Sequence, residues 1–182
     1  MTNAAAPRLV ESYWIQPGRF LAGEYPAYTG DGTDAERLDE LLNVGLDSFF
    51  DLTQPGELPP YLPMLGERAE LRGIHIEYQR FPILDLGLPE PGNTLSTLRA
   101  IDASLAAGKN VYLHCWGGVG RTGLTVGCFL VRHGRSGSEA LQQLAEWWQT
   151  MPKSLYCPRS PETPEQAAYV LKWCERPSAG AE

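Results

Sequence analysis

The sequence predicts a three-layer α/β fold, in which a small, mostly parallel central sheet carries helices on both faces. Two patterns predict it. Short apolar runs typical of strands alternate along the chain with longer segments whose apolar residues recur at helical spacing. One helical segment, residues 121–131, is almost wholly apolar and is therefore expected at the centre. The 182 residues, 43% of them hydrophobic, suit one domain. We place it at residues 8–176, between flexible ends at residues 1–7 and 177–182.

Five segments carry strand signals. Two short apolar runs on either side of a Pro-Gly pair predict a hairpin near the amino terminus. A later segment alternates apolar and polar residues, as expected of a half-buried strand. The predicted strands cover residues 14–15, 20–22, 46–53, 74–78 and 111–113.

Helices are predicted between these strands. Three of them begin at capping boxes, in which a Ser or Thr is followed three residues later by Glu or Gln: Thr33, Ser136 and Thr163. Pro164 then occupies the first helical position, where its missing N–H costs nothing. Residues 61–72, and the apolar stripe from Leu95 to Leu105, predict two further helices.

Charge and cysteine content narrow the possible functions. Fifteen Lys and Arg against 22 Asp and Glu give a net charge of −7, which argues against broad binding to nucleic acid or an anionic membrane. No stretch reaches the roughly 18–20 apolar residues of a membrane span, and residues 1–10 lack the apolar core of a secretory signal. The cysteines form no C-x-x-C pair, which predicts a cytoplasmic protein with free thiols, no metal and no cofactor: Cys115, Cys128, Cys157 and Cys174. The oligomeric state stays open.

The segment from His114 to Gly123 carries the strongest chemical signal. It joins an apolar strand to an apolar helix, and its glycines at 117, 118 and 120 allow backbone N–H groups to converge as an anion-binding nest. Cys115 is expected at the mouth of this nest, where the helix N-terminus lowers the pKa of a thiol. A cation in the first turn, Arg121, is misplaced unless an anion faces it, and its planar fork matches two phosphate oxygens.

Other interpretations of this segment fit less well. Residues 118–123 match the G-x-G-x-x-G fingerprint of dinucleotide-binding proteins. That motif requires a second strand ending in an acidic residue about 20 residues later, but residues 139–148 have a helical pattern. A nucleoside-triphosphate loop would need Gly-Lys-Ser or Gly-Lys-Thr, which the sequence lacks. A buried structural cysteine would explain neither Arg121 nor the three glycines.

His114-Cys115, five residues, Arg121 and Thr122 resemble the signature loop of cysteine-dependent protein tyrosine and dual-specificity phosphatases. The loop is most similar to that of the cyclin-dependent-kinase-associated phosphatase group and its bacterial relatives. The resemblance implies that Cys115 forms a phosphocysteine intermediate, that Thr122 steadies the departing thiolate and that His114 orders the loop. It also implies a set of residues that binds the phosphoryl group: Trp116, Gly117, Gly118, Val119, Gly120 and Arg121.

The resemblance further implies a general acid about 30 residues before the nucleophile. Asp85 lies 30 residues before Cys115, and leucines at 84, 86 and 88 could raise its pKa. Glu90 is the alternative acid. Some relatives position the hydrolytic water with a Gln, for which Gln166 is the candidate, although it is more simply the third residue of a capping box. Asp51 is expected to hold a turn, or else to line the same edge of the sheet.

The expected substrate is a phosphorylated protein or another phosphomonoester, with phosphotyrosine first and phosphoserine or phosphothreonine as the wider option. Residues 116–120 include no Lys, Arg or His. The resemblance implies that phosphoinositides are disfavoured, because inositol-lipid phosphatases of this fold usually carry basic residues there. The acidic chain disfavours RNA 5′-triphosphates. A phosphate-recognition module without turnover is the alternative from another functional class.

Overall fold

The computed structural model describes residue 7 and residues 10–27 and 30–175, so the predicted flexible ends fall outside the described residues except at Pro7. Five strands form one sheet in the order β1-β2-β5-β3-β4. β1 pairs with β2 in antiparallel fashion, whereas the other three pairings are parallel. The strands are β1 Ser12–Gln16, β2 Phe20–Gly23, β3 Ser48–Asp51, β4 Glu77–Arg80 and β5 Val111–His114.

Helices cover both faces of this sheet, as predicted. Along β5, Val111 and Leu113 pack into one core with α3 to α6, whereas Tyr112 packs into a second core with α1 and α2. This alternation follows from the two-residue period of a strand. The helices are α1 Asp34–Asn43, α2 Leu62–Glu70, α3 Pro91–Ala106, α4 Gly120–Arg132, α5 Gly137–Trp148 and α6 Pro164–Lys172, with a 3₁₀ turn at Pro152–Leu155.

The central position of α4 is also confirmed. All residues from Gly120 to Leu130 are buried, which matches the nearly continuous apolar sequence. Helix α6 approaches α4 closely at Gly127, where an added Cβ would lie 2.7 Å from a methyl carbon of Val170. In the part of the chain that the structure describes, no helix combines the length and apolar character needed to cross a membrane.

Two of the three predicted capping boxes are confirmed. Ser136 with Glu139, and Thr163 with Gln166, form both reciprocal hydrogen bonds. The prediction at Thr33 is wrong, because this residue begins α1 without a side-chain cap. Its hydroxyl instead donates to Asp31 Oδ1 at 2.7 Å. A carboxylate two residues upstream competes for the Thr hydroxyl through a local turn.

The fourth strand lies later than predicted. The alternation over residues 74–78 suggests a strand from Ile74, yet the Ile74 N–H donates to Ala69 O at the end of α2. Pairing with β3 begins only when the Glu77 N–H donates to Asp47 O at 2.8 Å. The chain must first leave the end of α2, so the strand begins three residues later than predicted.

Candidate active site

The parallel strands end in one row. Gly23 of β2, His114 of β5, Asp51 of β3 and Arg80 of β4 are neighbours in the register. The loop of residues 115–119, called the signature loop here, leaves β5 at this row and enters α4. Ligand sites in parallel α/β sheets form at the carboxyl ends of the strands.

The signature loop is held against the end of β2. Gly118 has φ +75°, and an added Cβ would lie 2.7 Å from the carbonyl carbon of Gly23. Residues outside the loop hold two of its carbonyls: the Tyr25 N–H donates to Trp116 O at 2.7 Å, and Ser160 Oγ donates to Val119 O at 2.8 Å. Only glycine meets both the steric limit and the backbone angle at position 118.

Cys115 lies deeper than the mouth of the nest where the sequence analysis expects it. The residue is 2% exposed and belongs to the core that α4 forms with the sheet. Tyr13, Val119 and Leu124 belong to the same core. A ligand would therefore have to approach this thiol below the protein surface.

Arg121 enters the first turn of α4, and acceptors surround its guanidinium. Glu57 binds it in bidentate fashion, at 2.8 Å from Nη1 and 2.7 Å from Nη2. Asp85 Oδ1 lies 3.1 Å from Nη2, and the Ile83 carbonyl accepts from Nη1 at 3.2 Å. Burial is the largest single influence and opposes the charged form, but the hydrogen bonds to Glu57 together with the surrounding negative charges raise the pKa of Arg121. The positive charge of Arg121, which is predicted to need a facing anion, is thus neutralised by the carboxylates of Glu57 and Asp85.

Glu57 is a site residue that the sequence analysis missed. It lies in the turn after β3, 64 residues before its partner Arg121, and its Oε2 also accepts from the Gln54 N–H at 2.9 Å. The hydrogen bond from Arg121 lowers the pKa of Glu57. A Glu next to Pro55-Gly56 resembles an ordinary turn residue, so no local signal pointed to it.

Asp85 lies beside the loop as an exposed residue. Its side chain is 54% exposed, and Leu84, Leu86 and Leu88 are exposed as well. These leucines therefore do not provide the apolar setting that we expected around the carboxyl group. Glu90, the alternative acid, is exposed at the N-cap of α3.

His114 connects the signature loop to a second residue that the sequence analysis missed. Burial lowers the pKa of His114, which favours the neutral ring. Its Nδ1 lies 3.1 Å from Cys115 O and its Nε2 lies 2.7 Å from the Tyr61 hydroxyl oxygen. In the neutral ring Nδ1–H donates to the carbonyl, and Nε2 accepts from Tyr61. The carbonyl of Cys115, which can only accept, thereby selects the tautomer, and the Tyr61 hydroxyl completes it as the donor to Nε2.

Two further candidates border the loop. The Thr122 hydroxyl lies 3.4 Å from Gly23 O, its acceptor in this structure. Gln166 is buried; its Oε1 accepts from the Thr163 N–H and its Nε2 donates to Gly87 O, each at 3.2 Å. A Cβ on Gly120 would lie 2.9 Å from Gln166 Oε1. Gln166 therefore caps α6 and also contacts both the start of α4 and the segment that carries Asp85.

Asp51 holds the turn that follows β3. Its Oδ1 accepts from the N–H and hydroxyl of Thr53, and its Oδ2 accepts from Tyr78 at 2.6 Å and Arg80 at 2.8 Å. Burial alone would raise the pKa of Asp51, but the neighbouring His114 and these hydrogen bonds lower it. The turn that Asp51 fixes leads into the segment that carries Glu57.

We expect Asp51→Asn to lower the free energy of unfolding by about 2–4 kcal/mol at pH 7. The new amide would place N–H donors against the donors of Tyr78 and Arg80. Because the folded state lowers the pKa of Asp51, the wild-type carboxylate stabilises the fold above about pH 4. This contribution is lost as the pH falls through the lowered value.

Urea unfolding at pH 7 and in steps below pH 4 measures both effects. Asp47→Asn supplies the same chemical change at a carboxylate with a partly exposed side chain, and a smaller loss is expected there. Equal stability of Asp51→Asn and wild type across this pH range would contradict the assignment.

The other cysteines lie away from the signature loop in sequence. Cys128 is buried in α4, where burial raises the pKa of its thiol. Cys157 is partly buried and Cys174 is exposed. All four cysteines, including Cys115, are free thiols in the structure.

The chain is similar to known proteins in both sequence and fold. A family model described as "Polymorphic toxin system, DSP-PTPase phosphatase" matches residues 30–135. Tyrosine phosphatase 067L of Invertebrate iridescent virus 3 is 30% identical over 114 residues, which cover 60% of this chain and 41% of that protein. The match thus spans about two fifths of the length of this curated relative.

Solved structures of phosphatases share the architecture. The active form of Tk-PTP superposes with a TM-score of 0.69 and 28% identity, covering 89% of this chain and 94% of that one. Kinase-associated phosphatase also gives a TM-score of 0.69, at 18% identity, over 91% of this chain and 93% of that one, and so supports the fold alone. Since the family model matches more than half of the sequence, the chain belongs to the DSP-PTPase phosphatase family of polymorphic toxin systems, within the cysteine-dependent tyrosine and dual-specificity phosphatase superfamily.

Proposed function

We propose that the protein hydrolyses phosphomonoesters through a phosphocysteine intermediate. One observation carries the proposal: the candidate acid Asp85 lies 3.1 Å from the guanidinium of Arg121, at the start of the helix that follows the nucleophile. The acid and the cation, 36 residues apart in the sequence, thus lie in contact, and the nucleophile precedes the cation by six residues. The membership of a phosphatase family supports the same reaction class.

In the first step, the Cys115 thiolate attacks phosphorus and forms the S–P bond as the P–O bond to the leaving group breaks. The amides of residues 116–121 and the Arg121 fork hold the phosphoryl oxygens. The incoming dianion displaces Asp85 from Nη2. The displaced carboxylate takes up a proton from solvent and gives that proton to the leaving oxygen.

In the second step, water attacks phosphorus while Asp85 accepts its proton, and the S–P bond breaks to release inorganic phosphate and the thiolate. Thr122 would turn its hydroxyl from Gly23 O towards the sulfur to stabilise it. Gln166 contacts Gly87 and lies beside Gly120, which suits a side chain that positions the water.

We propose phosphotyrosine in proteins as the main substrate, with phosphoserine and phosphothreonine as the wider range. Cys115 is only 2% exposed, which favours a long phosphorylated side chain that can reach a recessed thiol. We also propose a cytoplasmic location, because free thiols suit a reducing compartment.

Phosphate release from an aryl phosphate, and from peptides that carry one phosphorylated Tyr, Ser or Thr, tests the proposal. Turnover is expected in the presence of a metal chelator, with the highest kcat/KM for the phosphotyrosine peptide. Tight binding of phosphopeptides without phosphate release would instead support a recognition module.

We expect Glu57→Gln to lower kcat/KM by about 10- to 100-fold, because the amide cannot hold Arg121 through two charge-assisted hydrogen bonds. The inhibition constant for orthovanadate, an oxyanion, should rise as well. If Glu57 only stabilised the fold, the inhibition constant for orthovanadate would not rise in a folded variant.

Glu67→Gln is the matched control, since Glu67 is an exposed residue of α2, and wild-type values are expected for it. Wild-type kcat/KM and vanadate inhibition in Glu57→Gln would show that Arg121 is positioned without Glu57.

A further inference from the structure

A cavity of about 300 Å³ opens beside the signature loop. Trp116 and Gly117 of the loop form one wall, and Tyr25, Arg37 and Lys153 contribute to the rest. Since consecutive Cα atoms are about 3.8 Å apart, Gly117 lies within about 8 Å of Cys115. Because of this short spacing, the cavity is adjacent to the place where a phosphorylated residue would react. We call this cavity the Trp116–Lys153 pocket.

Two cations and one carboxylate line the pocket. Arg37 and Lys153 both form ion pairs with Glu24, one on each carboxylate oxygen. Glu11 lies behind this group, where its Oε2 accepts from the Lys153 backbone N–H. The three ionised groups that line the pocket sum to one positive charge, and Glu11 behind them brings the wider cluster to zero. A guest in the cavity meets both cations of the lining directly, so the pocket favours an anionic guest over a cationic one.

Lys153 is placed to receive such a guest. Its Nζ donates to Glu24 Oε2 and, at 3.2 Å, to the carbonyl of Gly117. An ammonium carries three N–H donors, so one remains beyond these two contacts. The ion pair with Glu24 already holds the Lys153 ammonium at the signature loop. A guest therefore does not have to order the long Lys153 side chain when it binds.

Trp116 supplies the apolar part of the pocket. Trp116 is 52% exposed, which is unusual for a large aromatic residue. The methylene groups of a Glu side chain could lie on this ring while its carboxylate reaches Lys153. The combination suits an amphipathic acidic side chain better than a small inorganic ion.

We infer that the Trp116–Lys153 pocket is a specificity subsite for an acidic side chain that flanks the phosphorylated residue of a substrate protein. The inference rests on the proposed phosphatase function and extends it to the sequence around the phosphorylated residue.

Phosphotyrosine peptides that carry Glu or Gln at single positions, from three residues before to three residues after the phosphotyrosine, test the inference. At one or two positions we expect kcat/KM to be about fivefold higher for Glu than for Gln. In Lys153→Met this ratio should fall to about one, and in Lys153→Glu it should fall below one. Because both peptides of a pair meet the same enzyme, a general loss of activity cancels in the ratio.

Lys109→Glu is the control for the change in net charge. Lys109 also pairs with carboxylates, Asp47 and Glu77, but at the opposite end of the sheet. The Glu-to-Gln ratio should stay at its wild-type value in this variant. A ratio near one at every position in the wild type, or a full ratio in Lys153→Glu, would overturn the inference.

The same peptides should also be measured for binding to Cys115→Ser by fluorescence anisotropy. Charge-dependent binding without any turnover by the wild type would refute the proposed phosphatase function and leave the subsite standing. Turnover without charge dependence in either measurement would refute the subsite and leave the phosphatase function standing.

Discussion

Cys115→Ser should lower aryl phosphate turnover by about 10⁴-fold or more, the largest effect expected of any single substitution in this protein. A serine hydroxyl has a far higher pKa than a thiol, so the alkoxide needed to attack phosphorus is almost absent at neutral pH. The substitution replaces one small side chain by another at a buried position, so the fold should persist. Steady-state phosphate release measures the loss.

Cys174→Ser is the control for this experiment, because that thiol is exposed and free. It should retain wild-type turnover. Rapid quenching of the wild type should yield a phosphoryl adduct on the peptide that contains Cys115, detected by mass spectrometry. Substantial turnover by Cys115→Ser, or an adduct elsewhere, would remove Cys115 as the nucleophile.

Asp85→Asn should lower kcat by about 10²–10⁴-fold, because an amide cannot give a proton to the leaving oxygen. The loss should be greatest for alkyl phosphates, whose leaving groups most need protonation, and smallest for activated aryl phosphates. The side chain is 54% exposed, so this change should leave the fold intact. A kinetic series of phosphate esters with graded leaving groups measures the trend.

Glu90→Gln separates the two candidate acids. Glu90 begins α3 as its N-cap residue, and its loss should leave the dependence on the leaving group unchanged. If Asp85→Asn behaves like the wild type while Glu90→Gln shows the trend, the acid is Glu90.

Patterns within a few residues of one another made most of the fold predictable. The hairpin around Pro17-Gly18, the central helix after Arg121 and the capping box at Ser136 each depend on local sequence, and the structure confirms them. The family resemblance depends on an equally local loop. Local patterns of this kind predict elements from the sequence without any knowledge of which strands become neighbours.

The rest of the site depends on contacts between distant residues. Glu57 meets Arg121 across 64 positions, and Tyr61 meets His114 across 53. Each contact exists because β3 and β5 are parallel neighbours whose carboxyl ends are adjacent. The sequence predicted that a parallel sheet exists, but not the strand order that brings these two turns together.

The shared row at the strand ends has a practical consequence for labelling. The proposed chemistry lies at the end of the sheet marked by Gly23, His114 and Asp51, whereas Lys109 lies at the other end, before β5. At about 3.3 Å per strand residue, the two ends stand roughly 10 Å apart. A small fluorophore attached at Lys109 would therefore lie at the end of the sheet opposite to the one that a substrate approaches.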